Sequence, residues 1–587
     1  MIDPAPIHVN TTNRPLAERE EPTTSRPIQL LHDHAPLLAV FIAFIASMLI
    51  IPTMANVPVS DDWVYSRSVE ILIHEQRLHV LDLSVVTVVF QVVWGAIFSI
   101  LFGTSFGAMR LSTLVLFMLS AWALYGICRE LGVNRSRSAL GVGAYVFNPL
   151  VFVLAFSFMT DPQFLSLLVI STYFYLRGMN PTRLEPWTIV AGSIFASFAF
   201  LTRQQGILIP LAVGLYLVAA RRWSFNREGL LSAIRVAGIP AVTLVVYCVW
   251  MLGVEGAPEQ QSAFLKQMVD AGFRDSRILI SRMTYIEIAY IGLFVLPIIL
   301  AAMPVLWRAR LPRSISGYLI LIGGVGILIA GLAVFGGRNH LMPYVPQFLG
   351  ITGLGPTDLI GGRPYLIPAD WRRPITVVVA MSAAAFIVLI AQKIGEKFTP
   401  ERAAASLLTS IGLWQVVGIL PPSYHFRNWI ISVDRYLIPL APFAICLLLC
   451  AVRDSRIFQP IGWIAIACFA IFSTASTRDF LVFQQATWEF AQESVAQGVP
   501  MTMLDAGSSW DGYHLYDYGE EHHISQQTPH GPWWTNLFAP ATDSTYIIGT
   551  SVPDGYVAIS GREYSSWLHR DGQWLWLSRR ADYPGPP

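Results

Sequence analysis

The sequence predicts an all-α polytopic membrane protein of about 13 transmembrane helices, with interfacial helices in its first outer loop and a small C-terminal extracytoplasmic α+β domain. Three observations lead there. Of the 587 residues, 54% are hydrophobic and 13% charged, against roughly 25% charged in an ordinary soluble protein. That deficit excludes a soluble multidomain enzyme. Apolar stretches long enough to cross a bilayer recur from Pro36 to about Ala475, each approaching the roughly 20 residues a spanning helix needs. After residue 476 the Leu, Ile and Ala runs give way to Trp, Tyr, His, Asp and Gly. The net charge of +1 lacks the basic excess that nucleic-acid binding needs, so no nucleic-acid partner is expected. All five cysteines lie in apolar segments and read as small core residues rather than a disulfide or zinc framework.

Residues 1–33 are rich in Pro, Thr, Arg and Glu and too poor in apolar side chains to fold, which predicts a disordered cytoplasmic tail. The first apolar run lies too far into the chain for a signal peptide and lacks a cleavage site, so it reads as a retained anchor. A transmembrane domain over 34–476 follows, with spans expected near 36–56, 108–128, 138–158, 162–178, 186–201, 204–220, 230–252, 284–306, 314–335, 374–392, 403–420, 435–452 and 456–475. Residues 84–103 are long enough to be a further span, and the charges argue against it. With that segment in the interface, the loops holding Arg129, Arg135 and Arg137, then Arg177 and Arg183, Arg221, Arg222 and Arg227, Arg308, Arg310 and Arg313, Lys393 and Lys397, and Arg453 and Arg456 share one side. The positive-inside rule makes that side cytoplasmic. The expected localisation is therefore the plasma (inner) membrane, multi-pass, with a cytoplasmic N-terminus. The outer loop 57–107, the loops near 253–283 and 336–373, and the soluble domain 477–587 then face outward. Strand-like pieces at 545–551, 556–561 and 573–580, separated by turn residues, predict a compact sheet in that domain.

Candidate chemistry gathers on the outer face. Asp61 and Asp62 follow the first span in Ser60-Asp61-Asp62-Trp63-Val64-Tyr65. They read either as the cap and first turn of a helix running to about Glu75, or as a general base and its helper. Neighbouring residues on a helix diverge by about 100°, so the two carboxylates do not face each other across a substrate. Asp161, before Pro162, is by itself a turn or cap residue. Arg203 in Leu201-Thr202-Arg203-Gln204-Gln205-Gly206 by itself snorkels to headgroups. Arg435 in Asp434-Arg435-Tyr436-Leu437-Ile438-Pro439 has an obvious neighbour in Asp434. Their convergence on one face carries more weight than any one of them. A base for an acceptor hydroxyl and cations for a departing phosphate are what a phosphate-leaving-group reaction requires.

In order and spacing these pieces resemble the type C glycosyltransferase superfamily, the polyprenyl-phosphate-sugar-dependent membrane enzymes that include protein O-mannosyltransferases and lipid A aminoarabinose transferases. The matching pieces are Asp61 and Asp62, Gly103 to Leu111, Thr160-Asp161, Ala199 to Gly206, and Arg435 to Pro442. The resemblance implies Asp61 as catalytic base with Asp62 as helper, and Asp161 as a second acidic site residue. It further implies Arg203, Arg435, Tyr436, Tyr65 and Arg67 as substrate-binding residues. The partners implied are a polyprenyl-phosphate-linked sugar donor, an extracytoplasmic acceptor that is a glycan, lipid or protein, and membrane lipids. The reaction implied is transfer of a monosaccharide with inversion. Where this chain has Arg203, the related pattern commonly carries Lys, which keeps the charge and changes the hydrogen-bond geometry. The sequence specifies no cofactor, and a divalent metal stays open.

The alternative is a lipid or solute transporter or flippase, which carries ionisable groups near the midplane of several spans. Here the charges sit at helix ends. An inactive paralogue acting in assembly is a third reading, against which the presence of Asp61 and Arg435 counts. Gly103 to Gly107 fits a nucleophile-elbow pattern but lies between apolar helices. The glycosylation sequons at Asn10 and Asn134 lie on the expected cytoplasmic side, and His522 with His523 reads as surface. Trp510, Trp533 and Trp534 either stack on sugar or pack the small domain, and packing is the commoner fate of such residues.

Overall fold

The computed structural model describes residues 26–180, 185–270, 273–395, 400–423, 432–524 and 532–584. Most of the expected tail, the Asn10 sequon, Arg183 and Lys397 lie outside them. The described chain is mostly helical, with a small sheet near its end.

Among the described residues, eight helices are long and apolar enough to cross a membrane: Phe106–Glu130, Arg227–Glu255, Ser276–Ala301, Ile315–Gly337, Ala369–Lys393, Arg402–Leu420, Asp434–Ala451 and Gln459–Ala496. A ninth arises if Arg135–Val146 and Pro149–Ala155, bent by 67°, count as one span. The break falls where Asn148 precedes Pro149, whose ring cannot continue the preceding hydrogen-bond ladder. Asn148 Oδ1 instead accepts from the N–H of Leu150 and Val151 at 3.2 and 3.5 Å.

Four expected spans are not among these, and two physical reasons account for three of them. Pro186–Thr202 and Gln204–Ala219 have 17 residues or fewer, about 25 Å of helix against a hydrocarbon core of about 30 Å; the first helix, Arg26–Ile50, has 25 residues, with His34–Ile50 as its apolar part. Thr160–Gly178 has 19 residues but carries Asp161, Gln163, Ser166, Ser171 and Thr172. These polar groups are tolerated because the helix is buried in protein along most of its length. Ser171 donates to the Gly192 carbonyl at 2.8 Å and Gln163 to Thr113 at 3.1 Å. This helix packs between Phe106–Glu130 and Pro186–Thr202 at the centre of the molecule. Residues 84–103 form a helix of 14 residues, Val89–Phe102, which is too short to span.

Gln459–Ala496 has 38 residues, about 57 Å at 1.5 Å per residue, nearly twice the hydrocarbon thickness. The boundary expected at residue 477 falls inside this helix rather than in a linker. Its C-terminal turns are the platform on which the end of the chain is built. Asp479 accepts from the N–H groups of Trp567 and Leu568 at 2.8 to 2.9 Å, and Arg562 pairs with Glu489 and Glu493 at 2.6 and 2.9 Å.

The sheet contains β3 (Leu504–Asp505), β4 (Tyr546–Gly549), β5 (Tyr556–Tyr564) and β6 (Gln573–Arg580), in the order β3-β4-β6-β5. A separate hairpin of β1 (Leu349–Gly350) and β2 (Gly353–Leu354) lies in the loop 338–368. β3 runs parallel to β4, and β6 pairs antiparallel with both β4 and β5, with a bulge between Ala558 and Ser560. The three strands expected from alternation and turn residues are β4, β5 and β6.

Candidate active site

Four backbone features deliver the charged groups to one place. After the first helix the chain loops over Ile51 to Asp61, and Arg110 is the post that holds it. Its guanidinium is buried and donates to the carbonyls of Thr53, Ala55 and Val57 at 2.7, 3.1 and 2.9 Å. Arg110 reaches them because Ser105 caps its helix, accepting from the Ala108 N–H at 3.1 Å. Gly107 lets that helix approach closely, since a Cβ there would lie 2.8 Å from the Met54 backbone. The Gly103 to Leu111 motif is thus a clamp on the Asp61 loop.

Asp161 sits in the first turn of Thr160–Gly178. Arg203 follows Pro186–Thr202 in extended backbone, and the chain then folds back in a turn closed by Gly206 N–H to the Arg203 carbonyl at 2.9 Å. A Cβ on Gly206 would fall 2.1 Å from the Phe200 nitrogen, so this turn needs glycine. Arg435 lies in the turn Asp434–Leu437. Asp434 does not pair with its neighbour there: its carboxylate accepts from the N–H groups of Gln347, Phe348 and Leu349 at 3.3, 3.1 and 2.7 Å. That anchorage leaves Arg435 to face elsewhere.

It faces the acids. Arg435 Nη2 donates to Asp61 Oδ2 at 3.0 Å, and its Nε lies 3.8 Å from Asp161 Oδ2. Arg203 Nη1 donates to Asp161 Oδ1 at 2.5 Å and to Thr160 Oγ1 at 3.0 Å. The Tyr436 ring lies 5.1 Å from the Arg203 guanidinium and 5.4 Å from that of Arg435. Tyr65 lies within electrostatic reach of Arg435, Asp61, Asp161 and Arg203, and burial pushes its hydroxyl above its ordinary value. The Asp61 side chain is 32% exposed, whereas those of Asp161, Arg203 and Arg435 are 4%, 6% and 8% exposed. One carboxylate therefore opens outward from a buried row of alternating charge. Arg435 Nη1 is buried and has no hydrogen-bond partner among the described residues. A guanidinium donor left in that state is a prepared seat for an anion.

Two expected residues stand apart from this row. Asp62 is 1% exposed, and its oxygens accept from the N–H groups of Val59 at 2.6 Å and Phe158 at 3.2 Å. Because adjacent helical side chains diverge, it points inward onto backbone N–H groups while Asp61 points out. Burial holds its carboxyl up at about 7, with Arg110 and the two N–H groups opposing the rise. Arg67 pairs with Glu70 at 3.2 Å and with Asp517, and lies against the Tyr513 ring. It ties its helix to the C-terminal region and makes no contact with the charged row.

Asp62 and Arg110 give two expected outcomes. The folded carboxyl of Asp62 titrates above its ordinary value, so the folded state binds the proton more tightly. The cost of charging it is absent below about pH 4, grows as pH rises and is complete above about pH 7. Asp62→Asn removes that titration, so the wild-type melting temperature should fall relative to the variant's as pH rises from 4.5 to 7.5. A constant gap would contradict the assignment. Arg110→Met leaves a buried carboxyl and three carbonyls without their cation. It should cost about 3–5 kcal/mol, read as thermal unfolding of detergent-solubilised protein, and a wild-type melt would refute the clamp.

Sequence reasoning passed over Asp358. It lies in the loop before Leu359, close enough to Asp61 and Arg435 to feel both. Burial first and the Asp61 charge second push its carboxyl up to about 7. No motif marks it, because it arrives from a long loop. Of the three tryptophans, Trp510 and Trp534 are buried and Trp533 is half exposed, so packing accounts for the first two. Among the described residues no three His, Cys, Asp or Glu side chains are grouped to hold a metal.

Residues 91–250, a little over a quarter of the chain, match the family model described as dolichyl-phosphate-mannose-protein mannosyltransferase. The matched segment contains Arg110, Asp161 and Arg203 and stops short of Asp61 and Arg435. The likeness to the type C glycosyltransferases therefore rests on a family model as well as on motifs. No curated relative matches the chain. Among solved structures the chain is similar to ArnT from Cupriavidus metallidurans bound to undecaprenyl phosphate, at 14% identity and TM-score 0.41, covering 96% of this chain and 100% of that one. It is also similar to the Archaeoglobus fulgidus oligosaccharyltransferase tethered to an acceptor peptide, at 14% identity and TM-score 0.45, covering 88% of this chain and 64% of that one. A third is the arabinosyltransferase EmbB from Mycobacterium smegmatis, at 13% identity and TM-score 0.35, covering 82% of this chain and 44% of that one.

Proposed function

We propose that the chain is a polytopic membrane glycosyltransferase that moves a monosaccharide from a polyprenyl-phosphate donor to an extracytoplasmic acceptor hydroxyl with inversion. The observation that carries this is the row Asp61–Arg435–Asp161–Arg203, with a buried Arg435 donor left unpaired at its centre. Its match to a mannosyltransferase family over residues 91–250 supports the same reading.

In this reading the donor phosphate enters against Arg435 and Arg203 and competes with Asp61 for Arg435. Asp61 then turns to the acceptor. The acceptor O–H gives its proton to the Asp61 carboxylate, the oxygen bonds to the anomeric carbon, and the bond from that carbon to the phosphate oxygen breaks. The electron pair leaves on the phosphate, where the two guanidiniums stabilise the charge. Asp161 holds the arginines apart and oriented, and Tyr436 braces both. In this reading the row lies at the outer face of the membrane, the loop 57–107 forms the floor, and the sheet region that follows Gln459–Ala496 closes the acceptor side. The test is a comparison by mass spectrometry of envelope glycans, glycolipids and glycoproteins from cells with and without the chain. Loss of one sugar from one class of acceptor is expected; an unchanged inventory would overturn the proposal.

A further inference from the structure

The residue before the proposed base is held in an unusual backbone. Ser60 has φ +54°, left-handed territory that a residue with a Cβ seldom occupies and that persists only where surroundings enforce it. Its own hydroxyl does not enforce it, being buried with no hydrogen-bond partner among the described residues. The contact that meets this strained peptide comes from the far end of the chain: the Ser509 hydroxyl donates to the Ser60 carbonyl at 3.2 Å.

Ser509 is itself fixed. It lies in the first turn of the helix Ser508–Glu521, directly after β3. The turn between them is closed by the Gly507 N–H donating to Asp505 at 3.1 Å and the Ala506 N–H donating to Asp511 at 3.1 Å. Trp534 Nε1 donates to the other oxygen of Asp511 at 2.9 Å. The same helix lies along Asp62–His74. Trp63 covers Gly512, where a Cβ would come within 2.4 Å of the indole, and the Tyr513 hydroxyl donates to Glu70 at 3.2 Å. Ser508 bonds the Asp358 carboxyl, which feels Asp61.

We propose that Ser509 is a positioning residue through which the C-terminal domain holds Asp61 in its outward-facing place. This rests on the reading of Asp61 as the base. Displacements of about 1 Å at a reacting group cost on the order of 100-fold in rate, so loss of one anchor to a strained peptide registers in kcat.

The experiment compares wild type, Ser509→Ala and Ser509→Thr as full-length protein in nanodiscs. One readout is transfer from a synthetic polyprenyl-phosphate sugar, and the other is hydrogen exchange. Ser509→Ala should lower kcat by about tenfold or more with the donor KM unchanged, and Ser509→Thr should restore it. Amides of residues 61–65 should exchange faster in Ser509→Ala while those of β4 and β6 keep their wild-type rates. Wild-type kcat and wild-type exchange in Ser509→Ala would overturn the anchor, as would faster exchange throughout the sheet, which marks a merely structural loss. The exchange readout needs no donor. If wild-type protein transfers no sugar, the reading of Asp61 as base fails, and the exchange data still decide whether Ser509 holds the loop.

Discussion

Asp61→Asn protein that inserts and folds is expected to lose transfer by a factor of about 10²–10⁴, the range a positioned general base contributes. The side chain is 32% exposed at the open end of the charged row, and in the proposed reaction an incoming phosphate would replace its bond to Arg435. The loss should therefore fall on kcat, with the donor KM no higher than in wild type. The check is a steady-state assay of lipid-phosphate release, with folding verified by chromatography and thermal melt. Transfer at the wild-type rate by folded Asp61→Asn would remove the base from the mechanism.

The second large effect belongs to Arg435. Its guanidinium bridges Asp61 and Asp161 and keeps a buried N–H for a further acceptor. A lysine keeps the charge but offers a single ammonium in place of a planar fork. Arg435→Lys should therefore lose about 10²–10³ in kcat, the cost of removing one preorganised donor from a developing anion, and should weaken donor binding as well. Arg435→Ala is less informative, because it leaves the Asp61 and Asp161 carboxylates without the cation between them. That loss is expected at about 3–5 kcal/mol of folding stability. The decisive comparison is Arg435→Lys against wild type in donor titrations. Equal kcat and KM would show that the phosphate sits elsewhere.

Both predictions rest on residues legible in the sequence, for a physical reason. In a chain where charges are scarce and costly to bury, each carboxylate or arginine at a helix end needs a partner or a task. Asp61, Asp161, Arg203 and Arg435 stand out against the apolar background, and the structure brings them together with Tyr65 and Tyr436. What failed was any distinction that depends on the direction of a side chain. Asp62 is as conspicuous as Asp61, yet one residue of helix rotation turns it onto backbone N–H groups. Arg67 lies on the proposed site's own helix but reaches Asp517, far away in sequence. Asp434 beside Arg435 looks like its partner, and three amides of a distant loop claim it instead.

The fold divides in the same way. Strands β4, β5 and β6 were marked by alternation and turn residues. The helices that differ from expectation are those where hydrophobicity alone misleads. Thr160–Gly178 crosses the centre of the protein as a polar-rich helix shielded by its neighbours, and Gln459–Ala496 runs on past its apolar half into the C-terminal domain. Asp358 and Ser509 were not legible at all: Asp358 arrives on a loop without periodicity and Ser509 in the first turn of a polar helix, and the meaning of both comes only from what the fold sets beside them.

The most direct measurement of the central claim uses purified wild-type protein in liposomes with a polyprenyl-phosphate sugar and an extract of candidate acceptors. Donor consumption, lipid-phosphate release and the anomeric configuration of the product are followed together. The account predicts stoichiometric release of the lipid phosphate and a product of inverted configuration. Movement of the lipid-linked sugar between leaflets with the donor intact would contradict it and identify a transporter.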